Sequence, residues 1–414
     1  MCTSLVWYGG VELPMKSMNI LILLNIDFGI HGPSVHLFVD IIQALTQRGH
    51  FVTVISKAFS DRYPHYPESL ADCANLKVIP LVCKTDKHNL FKRFFIDAKY
   101  AKDCSKTYKK NNYDVAFLQS CNSAFFHVKY LKKYTNAKVL FNVQDVFPQN
   151  TRKLYHPPLG TLIFHLFYWM QRYAYIRSDK IITISSDMAE TIKEDKSIKT
   201  PINVIHNWGY LEHTMVINDE NNQFIEKLGQ IGDEFRAVYA GNIGRQQNVE
   251  LIIRAAKRLV DTDIKFYIIG NGVKKPSIVE YIQNNDLCNV VMMDAQPEHL
   301  AQQIYSMADV NMIPLLPYTI YTALPSKTAA CLSCGRTIVG CFERESELGR
   351  LFESTEGCYV VSNHDENELA ALLTELSKQG KRKEFTDREE AMNMFSIRKN
   401  IDLYVDCIES LCGE

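Results

Sequence analysis

The chain reads as an α/β protein built from two doubly wound parallel sheets, one in each half. Three observations predict this. Apolar, β-rich runs alternate with segments of helical period along the sequence, and parallel strands joined by crossover helices produce that alternation. The length, 414 residues, exceeds what one hydrophobic core usually serves, so two domains of roughly 200 residues each are expected. The alternation also breaks near mid-chain, in the polar stretch Gly209–Asp233 with Asn218, Asp219, Glu220, Asn221 and Asn222, which reads as the interdomain connection.

The first unit shows the pattern. Asn19–Leu24 is a continuous buried-strand run and Asn25–Ser34 a turn-rich loop. Leu37, Phe38, Ile41, Ile42 and Leu45 then recur at helical spacing, Gly49 stops the helix, and Phe51–Ser56 is the second strand. Further strands are expected at Leu76–Val82, Asp114–Leu118, Lys138–Val143, Lys180–Ile184 and Ile202–Ile205. A second series follows, with strands Arg236–Ala240, Ile264–Ile269, Val290–Met293, Asp309–Pro314 and Thr337–Gly340. Its helices are Asn248–Val260, Glu298–Met307 and Lys327–Cys334. These are Rossmann-like halves, residues 15–208 and 209–395, and the last helix, 396–412, is expected to cross back onto the first. Residues 1–14 lack periodicity, and Met15 and Met18 are both candidate starts.

Composition narrows the class. The chain is 46% hydrophobic and 22% charged with a net charge of −1, so its overall field favours no polyanionic partner and nucleic acid is not expected. The 12 cysteines are scattered, which suits reduced thiols in a cytosolic protein. Cys331 and Cys334 form a C-x-x-C without a second pair at zinc spacing, and read as part of a buried helix end. No run approaches the ~20 apolar residues of a membrane span.

In open α/β sheets ligands bind beyond the carboxyl ends of the strands, and four loops there carry unusual chemistry. Phe28–Ser34 offers Gly29 and Gly32 for close approach to a phosphate before a helix, or is an ordinary loop. Gln144–Asn150 places Asp145 on a Pro-stiffened turn, as a group that orients or deprotonates a hydroxyl, or as a turn residue. Gly241–Asn248 combines Gly241, Asn242 and Gly244 with the cation Arg245, a fork suited to phosphate, and Asn248 as helix cap. Gly270, in the turn Gly270-Asn271-Gly272, joins this donor-side set. The fourth loop, Pro317–Lys327, sets Thr322, Ala323 and Ser326 ahead of Lys327 at a helix start. A cation is disfavoured there unless an anion is bound, and a pyrophosphate held also by the Thr322 and Ala323 amides explains it. No acidic metal-binding loop accompanies these, so no metal or cofactor is expected.

In this order the loops resemble retaining glycosyltransferase family 4, and within it the WbuB-like O-antigen and capsule branch. The residues carrying the resemblance include Arg48-Gly49-His50, Asp145-Val146-Phe147-Pro148, Val204-Ile205-His206-Asn207-Trp208, Tyr239-Ala240-Gly241-Asn242-Ile243-Gly244, Pro325-Ser326-Lys327 and Cys334-Gly335-Arg336-Thr337-Ile338-Val339. The family's Glu-x7-Glu pair falls on Thr322 and Ala330, so both carboxylates are absent, and Glu347 matches a downstream acidic position suited to the nucleotide ribose. The resemblance implies the GT-B architecture, with a cleft between the halves. It also implies a UDP- or GDP-sugar donor, transfer with retention without a metal, and Asp145, Arg245 and Lys327 as the catalytic groups. The acceptor is then a polyprenyl-diphosphate-linked sugar, and the enzyme is cytoplasmic, lying on the inner leaflet. The basic, aromatic stretches Asn89–Lys110 and Thr161–Tyr175 suit that surface, or are core helices with a solvated face. Two other readings share the architecture: a sugar-nucleotide 2-epimerase, which needs an acidic and histidine cluster that the fourth loop lacks, and a non-catalytic partner subunit.

Overall fold

The computed structural model describes residues 5–8, 11–14, 17–29, 34–60, 66–83, 90–154, 158–209, 211, 213–229 and 231–413. They form two compact units: residues 1–207 with 398–414, and residues 208–397. Leu5–Tyr8 and Val11–Pro14 pair as an antiparallel hairpin, which the sequence, lacking periodicity there, does not announce.

The first unit holds seven strands: β1 (Asn19–Asp27), β2 (Phe51–Ala58), β3 (Leu76–Val82), β4 (Val115–Gln119), β5 (Lys138–Val143), β6 (Lys180–Thr183) and β7 (Ile202–Val204). They lie in the order β3-β2-β1-β4-β5-β6-β7, every neighbouring pair parallel. Ile20 to Leu24 are each at most 1% exposed, as expected of a central strand covered on both faces. Ser34 precedes the helix Val35–Gln47 without a side-chain cap. The last helix, Ile397–Gly413, is bound into this unit by polar contacts. Arg48 pairs with Asp402, Asp406 and Glu409, His50 Nε2 lies 2.8 Å from Glu409 Oε1, and Lys180 Nζ donates to Ser410 Oγ.

The second unit repeats the plan with β8 (Phe235–Ala240), β9 (Ile264–Ile269), β10 (Val290–Met293), β11 (Val310–Pro314), β12 (Thr337–Cys341) and β13 (Cys358–Val361). Their order is β10-β9-β8-β11-β12-β13, again all parallel. Strand β13 and the helix Glu366–Lys378 extend the series past Gly340, where the sequence reading stops. The stretch read as a connection is part of this unit. Asn222 caps the helix Gln223–Leu228 by accepting from the Phe224 and Ile225 amides, and Phe224 is fully buried. A polar run can conceal one anchoring aromatic, because composition averages over it.

Candidate functional site

All strands of a parallel sheet end on one edge, so the loops after β8, β9, β11 and β12 are gathered along the same side of the second unit. There two members of the sequence-read donor set, Gly241 and Gly270, meet, with Gly241 against Lys327. This residue is the N-cap of the short helix Thr328–Ser333, one position outside the helical turn expected to contain it. Its side chain turns back over the end of β8, with Nζ 3.6 Å from the centroid of the Tyr239 ring. A Cβ built on Gly241 would stand 3.0 Å from that Nζ, and Gly241 has φ +147, so both space and backbone call for glycine. Lys327 Nζ is buried without any hydrogen-bond partner among the described residues. Loss of hydration pulls the ammonium down to about 7, with the nearby Cys331 thiol pulling weakly upward. A buried cation without an anion is unusual, because burial stabilises the uncharged form until a counter-charge arrives.

The surrounding loops are tied tightly. Tyr239 Oη donates to the Asn242 carbonyl at 2.6 Å, and Ile243 N to the Asn271 carbonyl at 2.9 Å. A Cβ on Gly270 would lie 1.9 Å from the Gly241 carbonyl, so Gly270 serves loop packing at least. Lys275 Nζ closes the set with bonds to the Gly270 and Met293 carbonyls, Asn271 and Asp294. Arg245 is exposed and has no ion pair among the described residues. Ser326 is exposed as well, and Glu347 opens the helix Glu347–Ser354 behind the Ser346 cap.

Several expected roles change. The Thr322 and Ala323 amides both donate to the Thr319 carbonyl, at 2.9 and 3.0 Å, so neither is free to hold a diphosphate; a tight turn satisfies them instead. The Gly241 and Ile243 amides are likewise spent, on Ile269 and Asn271, while Asn242 and Gly244 have no backbone acceptor among the described residues. Asn248 does not cap its helix; its amide donates to the Asn363 carbonyl at 2.6 Å. In the first unit the Gly29 amide donates to Asp27 Oδ1 at 3.0 Å, so it too is engaged, and Gly32 lies outside the described residues.

Asp145 follows β5 in the first unit. Phe147, two residues on, is anchored against Phe167 at 5.4 Å between ring centroids, which fixes the turn. Gln144 bonds to Asn142 and accepts from Asn207 at 2.6 Å, and Tyr404 of the last helix donates to the same Asn142 oxygen. Asp145 keeps an exposed edge, yet crowded surroundings strip enough hydration to raise its carboxyl to about 6, with a hydrogen bond to Asn150 opposing.

Sequence reasoning missed three features. Tyr239 stands among the residues of the resemblance, but its alternation as a strand residue hid its role under Lys327. Asp27, at the end of β1, receives the Gly29 and Phe59 amides. Lys57 of β2 and Asp97 of the helix Leu90–Tyr108, whose charge pattern reads as surface, form a buried pair at 2.5 Å. Cys331 and Cys334 are buried, and burial holds the Cys331 thiol up at about 12, the state of an inert packing group.

The chain matches the family described as Glycosyltransferase Family 4 over residues 34–208 and the one described as Glycosyl transferases group 1 over residues 234–379. Each half of the chain thus matches a glycosyltransferase family model, and the two doubly wound units have the fold of GT-B glycosyltransferase structures. More particularly, it is 23% identical over 236 residues to the probable glycosyltransferase WbjE of Pseudomonas aeruginosa. It is 25% identical over 236 residues to the putative colanic acid biosynthesis glycosyl transferase WcaI of Escherichia coli K12. Each match covers 56% of this chain and 58% of the relative. Among solved structures, HepE of Anabaena, crystallised with UDP and glucose, superposes with a TM-score of 0.70 at 12% identity, covering 95% of this chain and all of that one (100%). A glycosyltransferase of Rickettsia africae gives 0.68 at 15% identity, covering 96% and 99%. At these identities the likeness is one of fold.

Proposed function

We propose that the chain transfers a sugar, with retention, from a UDP- or GDP-sugar onto a polyprenyl-diphosphate-linked saccharide, in the assembly of a bacterial surface polysaccharide. The observation that carries this is Lys327, a buried ammonium with no partner among the described residues, stacked on Tyr239 in the space that Gly241 leaves for it. A departing nucleoside diphosphate gathers negative charge as the glycosidic bond breaks. Lys327 is a held donor for that charge, acting strongly where water is excluded, and the exposed Arg245 adds a second cation. The WbjE and WcaI relatives and the UDP-bound HepE support this class of donor and product. Nothing among the described residues of the second unit favours the epimerase or the non-catalytic subunit over transfer.

A screen of UDP- and GDP-sugars by thermal shift tests the donor. The right nucleotide raises Tm with concentration as RT ln(1 + [L]/Kd). Transfer with that donor persists in excess chelator, since side-chain cations take the place of a metal. A screen without any shift, or activity restored only by magnesium or manganese, contradicts the reading.

Asp145 is assigned to the acceptor hydroxyl, as the group that orients it and takes its proton. A base must be ionised, so kcat/KM falls as pH drops through about 6, where the raised carboxyl picks up its proton. Asp145→Asn flattens that acidic limb and lowers the plateau by about 100-fold or more. An acidic limb unchanged in the variant assigns it to another group.

The membrane surface is the proposed place of work, and the first unit supplies a face for it. Leu159, Leu162, Leu166 and Trp169 of the helix Leu159–Arg177 are 67%, 68%, 53% and 53% exposed, at spacings that put them on one stripe. Lys92, Arg93, Phe95, Lys99, Lys102 and Lys106 are exposed on the helix Leu90–Tyr108. Its Tyr100 and Tyr108, by contrast, are buried, so this stretch is core on one face and basic on the other. Among the described residues no helix is long and apolar enough to cross a membrane.

A further inference from the structure

Between the end of β11 and Lys327 the chain makes a turn at Leu316-Pro317-Tyr318-Thr319, closed by Thr319 N donating to the Leu316 carbonyl at 3.0 Å. Proline stands second and the third residue has φ +67, the arrangement of a type II turn, in which glycine or asparagine usually takes the third place. Here that place is held by a tyrosine. A bulky side chain with positive φ is strained, and it persists only where its surroundings enforce it.

The enforcement is visible. Glu343 Oε1, just past β12, accepts the Tyr318 amide at 2.7 Å and the Asn363 side-chain amide at 3.1 Å. Asn363 in turn receives Asn248 on its carbonyl, and the Leu316 amide donates to the Gln246 carbonyl. Loops after four strands of the second unit are thus stitched through one carboxylate, whose second oxygen is buried without a partner among the described residues. What they hold out is the Tyr318 ring, 71% exposed, 6.5 Å from the half-buried Tyr321 ring.

We propose that Tyr318, with Tyr321 beside it, is a platform on which a pyranose ring of a transfer substrate stacks, and that Glu343 is the positioning residue that holds the platform in place. The electron-rich ring face attracts the partly positive C–H groups on one side of a sugar. A tyrosine retained where asparagine would relieve the backbone is explained by use of that face. The placement, nine residues before Lys327 in the sequence, keeps it on the loop proposed to carry the donor cation. The inference rests on the transfer reading for the identity of the sugar, but the sugar contact itself can be measured without turnover.

The full-length protein is tested first by saturation-transfer NMR with methyl glucoside, methyl galactoside and methyl N-acetylglucosaminide. At least one shows transfer from the wild type and from Tyr318→Phe, and none from Tyr318→Asn, whose Tm is unchanged or higher because its backbone is relieved. Glu343→Ala weakens the signal like Tyr318→Asn, whereas Glu343→Gln, which keeps an oxygen for the Tyr318 amide, restores it. Kinetics then separate the source of the sugar: KM rises about tenfold for the nucleotide sugar or for the acceptor, with kcat little changed and the Kd of free UDP or GDP unaltered. Sugar contacts that survive in Tyr318→Asn, or are absent in the wild type, overturn the platform. Loss of transfer in the wild type with its sugar contacts intact would instead remove the reading of function.

Discussion

Lys327→Ala abolishes transfer, by about 100-fold or more, and leaves the fold intact. The ammonium is the buried cation of the donor loop and has no partner of its own, so its removal takes away charge that the diphosphate needs and leaves no protein group unsatisfied. Stability responds the opposite way. The folded pKa, about 7, lies below the ordinary lysine value of 10.5, so the unfolded chain binds the proton more tightly. The penalty of burying Lys327 is full below pH 7 and fades as pH rises from about 7 towards 10.5. The alanine variant therefore gains most in Tm at neutral pH and below, and the gain shrinks at pH 9 and above. It also loses the thermal shift produced by the free nucleoside diphosphate. Lys327→Arg regains part of the activity, because a planar fork replaces a compact charge over Tyr239. Wild-type nucleotide affinity in Lys327→Ala would move the diphosphate away from this loop.

Leu159→Glu, Leu162→Glu and Leu166→Glu in one chain release the protein from anionic liposomes, with partitioning lower by about two orders of magnitude or more. All three are more than half exposed, so the folded core loses little. Each leucine inserted in a bilayer contributes about 1.5–3 kcal/mol at full burial, and a carboxylate in its place adds repulsion from the anionic lipid. Lys92→Glu and Arg93→Glu act differently: they weaken binding at low salt and matter little at 1 M, where the screening length is about 3 Å. Vesicle binding unchanged in the leucine variant would leave the stripe without a membrane role.

The strands were legible because a parallel sheet buries both faces, and continuous apolar runs such as Asn19–Leu24 say so directly. Glycines and a misplaced cation marked the loop proposed to hold the donor for a similarly local reason. The fate of individual amides was not legible. Thr322, Ala323 and Gly29 look like phosphate cradles, yet their N–H groups close turns, a choice set by a few ångströms of backbone path.

By itself the sequence determined the two doubly wound sheets, the crossing back of a last helix as an expectation, and the residue types on each carboxyl-end loop, because periodicity and turn chemistry are local. Only the tertiary structure decided that Lys327 folds back over Tyr239, and that Asn248, Asn363 and Glu343 join loops more than a hundred residues apart. It also decided which face of the basic helix is buried, with Lys57 reaching Asp97 from β2. These are long-range pairings between side chains of ordinary type. Their energies depend on distances and burial that no local pattern encodes, so they appear only when the packed chain brings them together.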